Sequence, residues 1–229
     1  ERIRAYALRI DEPAGARTFK LPALHVSDVQ SLVRSPLDLA LVCTKSYDTA
    51  WATRLIEPYL RADGCVVSIQ NGINEARIAA VVGWERTLGC IASTISVAAT
   101  HPGEIARVRT PGGSAYTVFR VGEAHGRVTP RAQRIAELLG CVDSAKVTTN
   151  LWGERWSKLV TNSMHHGILG ATGLHDHALM QNAGTRRLAT RSAAEAIRVA
   201  QALGHPLEAI LPMAAPLWVA GADGGAGAI

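Results

Sequence analysis

Residues 37–45, LDLALVCTK, form an almost unbroken apolar run that ends in polar residues. A strand buried on both faces of a parallel sheet has this pattern. YDTAWATRLIEPYL follows with helical spacing, then a DG turn, then a second buried strand in GCVVSIQNG. INEARIAAVVG is again helical and closes at Gly83. TLGCIASTISV and YTVFRVGE predict further strands, with PGEIARVRTPGGS as a turn-rich connection between them. TPRAQRIAELLG predicts a helix with Thr129 as N-cap, Pro130 at its first position and Gly140 at its close. Alternating strands and helices imply a doubly wound α/β layer over residues 1–147.

From residue 148 onward the pattern is helical: LWGERWSKLVTNSMHHGILGATG, then TRRLATRSAAEAIRVAQALG, then a proline-marked tail ending in the low-complexity loop GADGGAGAI. Residues 148–229 therefore read as an all-helical second domain. No internal repeat is present.

Composition narrows the classes. With 48% hydrophobic and 19% charged residues among 229, the chain can bury a substantial core. The net charge of +5 comes from scattered arginines, and the five Trp are not interleaved with basic residues, which argues against a nucleic-acid groove. Cys43, Cys65, Cys90 and Cys141 show no C-x-x-C pair, and the first three fall in apolar strand-like runs, so they read as buried reduced thiols. The start is polar, and the late segment AILPMAAPLWVAGA is short and broken by Pro212 and Pro216, so a membrane span is not expected. A soluble, cytoplasmic protein is the resulting expectation.

Ligands of doubly wound sheets bind outside the carboxyl ends of the strands. Two strands end there in polar groups, Thr44-Lys45 and Gln70-Asn71-Gly72. Each also has an ordinary reading, as a solvated lysine and a simple NG turn. In RWSKLVTNSMHH, Lys158, Asn162 and His166 recur every four residues and so run along one helix face. Lysine is scarce in this chain, with four Lys against twenty Arg. Trp156, Leu159, Val160 and Met164 suggest a largely buried helix, where desolvation lowers a lysine pKa and suits it to proton donation. Glu154, four residues earlier, leaves open a plain surface ion pair. His165, His166, His175 and His177 flank no H-E-x-x-H, and no metal site is expected.

Taken in order and spacing, DLALVCTKSYDT, SIQNGINEARI, TLGCIAST and LWGERWSKLVTNSMHHGILGATG resemble the ketopantoate reductase (2-dehydropantoate 2-reductase) family. The resemblance implies an NADP(H)-binding Rossmann domain followed by a helical substrate and dimerisation domain, with the active site in the cleft between them. It implies a cytoplasmic enzyme of pantothenate biosynthesis that reduces a small 2-keto acid, as a possible homodimer. By position, Lys158 matches the family's catalytic lysine. Asn71 matches an asparagine between cofactor and substrate, Lys45 a lysine near the adenosine phosphate end, and Asn162 a substrate-holding asparagine.

Three departures qualify the match. His166 stands where the family often has a second asparagine, and Asp176 where another substrate-binding asparagine is common. Both are carried as substrate-binding positions, with the substrate itself left open. The family's glycine-rich G-x-G-x-x-G loop precedes the first residue of this chain, and its late Ser and Thr-Glu-Ile-Asp stretch lies past the last, so a fragment of the fold is expected. The alternatives are a paralogous reductase for another 2-keto acid or ketone, and a non-catalytic Rossmann-like binding module.

Overall fold

A computed structural model describes every residue except Ser114, Pro212 and residues 225–229, and every described side chain except that of Asp176. The chain divides into two compact units, one of residues 1–70 and 74–149, the other of residues 71–73 and 150–229.

The first unit opens with α1 (Arg2–Tyr6), β1 (Leu8–Glu12) and β2 (Gly15–Phe19). There follow β3 (Leu37–Val42), α2 (Thr49–Ile56), β4 (Leu60–Ser68), α3 (Glu75–Val82), β5 (Thr87–Ala92), β6 (Val97–His101), β7 (Glu104–Arg107), β8 (Phe119–Glu123), α4 (Pro130–Gly140) and β9 (Ala145–Val147). A five-stranded sheet runs β3-β4-β5-β8-β9, with β3, β4 and β5 mutually parallel and β8 antiparallel to β5. This is the α/β layer that the alternating pattern predicts.

Its two faces are built by the strand period of two. Val42 and Val66 turn to one side and pack with Ile78 and Val82 of α3. Val67, Leu88, Cys90 and Val121 turn to the other and pack with Ile135 and Leu139 of α4. The cap of α4 is as expected, with Thr129 Oγ1 accepting from the Ala132 amide.

Three sequence expectations are corrected here. The stretch read as a turn-rich connection contains β7, and with β1, β2 and β6 it makes a second sheet ordered β2-β1-β7-β6. β2 and β6 are exposed throughout, and β1 and β7, though largely half-buried, mix charged with apolar residues, so no apolar run announced them. TLGCIASTISV is not one strand. β5 stops at Ala92 and the chain bends through Thr94 and Ser96, both at positive φ (66° and 43°), before β6 begins. Cys43 is exposed, unlike Cys65 and Cys90, because β3 ends one residue earlier and forms the edge of its sheet.

Among the described residues of this unit three carboxylates are buried, Glu75, Glu123 and Asp143. Asp143 pairs with the Arg107 guanidinium and accepts from the amides of Gly112 (2.7 Å) and Ser144 (2.6 Å). Burial pushes its carboxyl up, but those two amides and Arg107 outweigh it and hold it below the usual carboxylate range. Glu123 is held low in the same way, against burial, by Arg131 and the Thr129 hydroxyl.

The second unit holds α5 (Leu151–Thr172), α6 (Asp176–Gln181), α7 (Ala183–Ala202) and α8 (Ala215–Ala222). Asn150 caps α5 by accepting from the Gly153 amide at 3.0 Å. Gly153 is required by close approach, since a Cβ there would collide with the Pro206 carbonyl oxygen and the Asn150 side chain. Val160, Met164 and Ile168 of α5 meet Ala189, Ala193 and Ile197 of α7 with the four-residue spacing of packed helix faces. Trp218 of α8 completes this core and donates from Nε1 to the Ile210 carbonyl at 3.1 Å. Of the tail expected as loop, residues 221–229, Gly221 and Ala222 end α8, Asp223 and Gly224 form a turn, and the last five lie outside the described residues. Among the described residues no helix is long and apolar enough to cross a membrane.

Candidate functional site

Because β3, β4 and β5 are parallel, their carboxyl ends share one edge of the sheet. The loops that leave β3 and β4 there carry Lys45 and Asn71, both exposed. Gly72 follows Asn71 at φ 85°, a conformation that costs glycine nothing and other residues a great deal.

Hydrogen bonds rather than apolar contacts set these loops. Gln70 is 5% exposed, and its Nε2 reaches the Thr44 carbonyl at 2.8 Å, the Thr49 hydroxyl at 2.9 Å and the Lys45 carbonyl at 3.3 Å. Ser46 is held from the next loop: its carbonyl accepts from Arg77 Nη1 at 2.8 Å and its hydroxyl accepts from Asn74 Nδ2 at 3.1 Å. The Thr49 hydroxyl also donates to the Ser46 carbonyl at 2.8 Å. The sequence reading noted Gln70 only as a polar strand end and assigned nothing to Thr49, Asn74 or Arg77. The available signal was the run of polar residues TKSYDT and QNGINEAR after two buried strands.

In the helical unit, Lys158 and Asn162 lie one turn apart on α5 and are half-buried. His166, a further turn along, is exposed. Each member of this row precedes a member of the Val160–Met164–Ile168 stripe by two residues, about 200° around the helix, so the row lies on the side of α5 away from the stripe that packs with α7. Trp156 and Leu159 are half-buried rather than buried, since the core side of α5 is carried by Leu151, Ser157, Val160 and Met164. Asn71–Ile73 group with this unit, and Lys45 belongs to the other. Asp176 is the first residue of α6, and its side chain lies outside the described ones.

Other polar groups of α5 bond both within the helix and beyond it, the Ser157 hydroxyl donating to the Glu208 carbonyl at 3.0 Å. The Thr161 hydroxyl donates to the Ser157 carbonyl at 3.1 Å, and His165 Nδ1 lies 3.1 Å from the Thr161 carbonyl. Among the described residues no three His, Cys, Asp or Glu side chains gather as metal ligands would.

Comparison with known proteins gives a consistent picture. The family Ketopantoate reductase PanE/ApbA matches residues 1–118, and Ketopantoate reductase PanE/ApbA C terminal matches residues 150–213. A 2-dehydropantoate 2-reductase of Halobacterium salinarum is 31% identical over 211 residues, covering 89% of this chain; the chain spans 64% of that relative's length. The structure of a PanE/ApbA family ketopantoate reductase from Ralstonia eutropha JMP134 superposes with a TM-score of 0.77 at 20% identity, covering 99% of this chain and 75% of the other. A D-mandelate dehydrogenase solved with NADH and anilino(oxo)acetate has the same fold, with a TM-score of 0.78 at 17% identity over 97% of this chain and 67% of its own.

Proposed function

The chain belongs to the ketopantoate reductase family, and from that premise we propose that it takes part in the nicotinamide-dependent reduction of a 2-keto acid, with NADPH as reductant and ketopantoate as substrate. The observation that carries the reading is the row on α5, where a half-buried lysine is followed one turn later by a half-buried amide.

In this reading Lys158 donates a proton from Nζ to the oxygen of the substrate's keto group. Its positive charge also stabilises the alkoxide as that charge develops, which is where electrostatic catalysis is most effective. Asn162 holds the substrate by hydrogen bonds to its polar groups, and His166 and Asp176 are the positions that tune which acid is accepted. Asn71 orients the reacting groups, and Lys45 attracts the cofactor's phosphates. A bound reduced nicotinamide supplies the hydride. The loops after β3 and β4 suit such a group, offering an exposed cation and an exposed amide beside a glycine at positive φ, at the parallel-strand edge where dinucleotides bind in doubly wound folds.

A second reading is favoured by positions 166 and 176. An imidazole can still donate to a carboxylate, but a carboxylate at 176 disfavours a small anionic substrate. In that case a 2-keto acid with a bulkier, aryl side chain that keeps its carboxylate away from position 176 is preferred, like the anilino(oxo)acetate bound by the D-mandelate dehydrogenase. A panel of 2-keto acids tested with the intact protein and NADPH or NADH separates the two. On the first reading ketopantoate has the highest kcat/KM, with at least about a tenfold margin, equivalent to ~1.4 kcal/mol. A higher value for an aryl keto acid selects the second, and no turnover with any member contradicts both.

A further inference from the structure

We propose that Gln70 is a positioning residue for cofactor binding, its buried carboxamide locking the loop that carries Lys45 to the strand end that carries Asn71. The proposal rests on the reading above, in which Lys45 and Asn71 serve a nicotinamide cofactor.

Residues 43–45 are exposed, so no apolar packing of their own fixes their conformation. What fixes them is Gln70, whose Nε2 lies within hydrogen-bond reach of two consecutive carbonyls, those of Thr44 and Lys45. Peptide planarity makes this a strong constraint. With the Thr44 carbonyl turned toward Gln70, the Lys45 N–H must point the opposite way, and with the Lys45 carbonyl in reach of the same Nε2, both peptide planes flanking the Lys45 Cα are constrained. The other end of the amide is also engaged, with Oε1 accepting from Ser68 Oγ at 3.4 Å.

Thr49 is fully buried and begins α2, so the carboxamide joins three pieces: the end of β4, the loop after β3 and the first turn of α2. A buried amide costs free energy unless it is fully bonded. Here two of the acceptors in reach of its Nε2 are backbone carbonyls of one exposed loop. The chain thereby holds a flexible lysine on a fixed base and couples that base to the residue next to Asn71.

The test is Gln70→Glu, which keeps the size but removes both N–H donors at neutral pH, with Gln70→Met as an uncharged second variant should Glu prevent folding. Both are measured in the intact protein with NADPH and the best keto acid. The cofactor KM is expected to rise about tenfold or more, as small misplacements of binding groups do. kcat at saturating cofactor stays within about threefold, the split expected when only ground-state binding is lost. In a Lys45→Ala background the same substitutions change the cofactor KM by less than about twofold, because the group being positioned is gone.

Additive effects of Gln70 and Lys45 substitutions, or kcat and KM worsening together, overturn the proposal, since a merely structural role behaves that way. Wild-type cofactor KM in both Gln70 variants overturns it while leaving the reductase reading intact. Failure of the unmodified protein to bind NADPH or NADH overturns that reading, and this proposal with it.

Discussion

Lys158→Ala is expected to lower kcat by roughly 10²–10⁴-fold, the contribution of a positioned general acid, while the cofactor still binds. Lys158 sits half-buried on α5, one helical turn from Asn162, on the side of the helix away from the Val160 and Met164 stripe that anchors it against α7. That anchoring lets a helix hold an ammonium group at a defined position. Removing the ammonium takes away both the proton and the charge that stabilises the alkoxide, and both matter only once the carbonyl begins to accept hydride. kcat and kcat/KM should therefore fall together. Lys158→Arg is not expected to restore activity, because a guanidinium keeps its proton across the working pH range and is poorly suited to donating it. Turnover of Lys158→Ala near the wild-type value would remove Lys158 from the mechanism.

The second large effect concerns the fold. Asp143→Asn should destabilise the protein by about 3–5 kcal/mol, the usual consequence of removing one partner of a buried ion pair. Arg107 is 7% exposed and would keep its charge with no counterion, while the amides of Gly112 and Ser144 would lose charged acceptors. Asp143 ties β7 and the segment from Arg109 to Gly112 to the entrance of β9, so one carboxylate joins the two sheets of this unit. The pH dependence follows from the same geometry. The folded-state carboxyls of Asp143 and Glu123 both titrate below their unfolded values. Their stabilisation is therefore complete above about pH 4 and is lost as the pH falls through the folded values. Urea titrations of wild type should show falling stability below about pH 4, and the Asp143→Asn variant should start lower and show a shallower acid limb. A loss under about 1 kcal/mol would mean that the pair is solvated.

The sequence announced what the hydrophobic effect controls. β5 and the Cys65–Ser68 half of β4 are buried runs because both faces of the sheet are covered there, whereas β3 is an edge strand with only Val42 buried, and α4 and α5 carry both apolar stripes and side-chain caps. The second sheet was not legible, because its strands are short, β2 and β6 are exposed throughout, β1 and β7 mix charged with apolar residues, and backbone pairing leaves no periodic trace. The break after Ala92 was missed for a related reason, since Thr94 and Ser96 adopt positive φ without a glycine to mark it. The candidate groups Lys45, Asn71, Lys158 and Asn162 could be named from their motifs. What holds them could not be, because the bonds from Gln70 to Thr44, Lys45 and Thr49 span 21 to 26 residues of chain.

The central claim is that a hydride passes to the keto carbon of the substrate and that a proton comes from the protein. The most direct measurement uses NADPH carrying deuterium at the transferring position of its nicotinamide, with the intact protein and ketopantoate, and locates the label in the product by mass spectrometry and NMR. The expected result is a 2-hydroxy acid with one deuterium on carbon 2 for each cofactor oxidised. No cofactor oxidation, or a product whose carbon 2 carries only solvent hydrogen, would contradict the account.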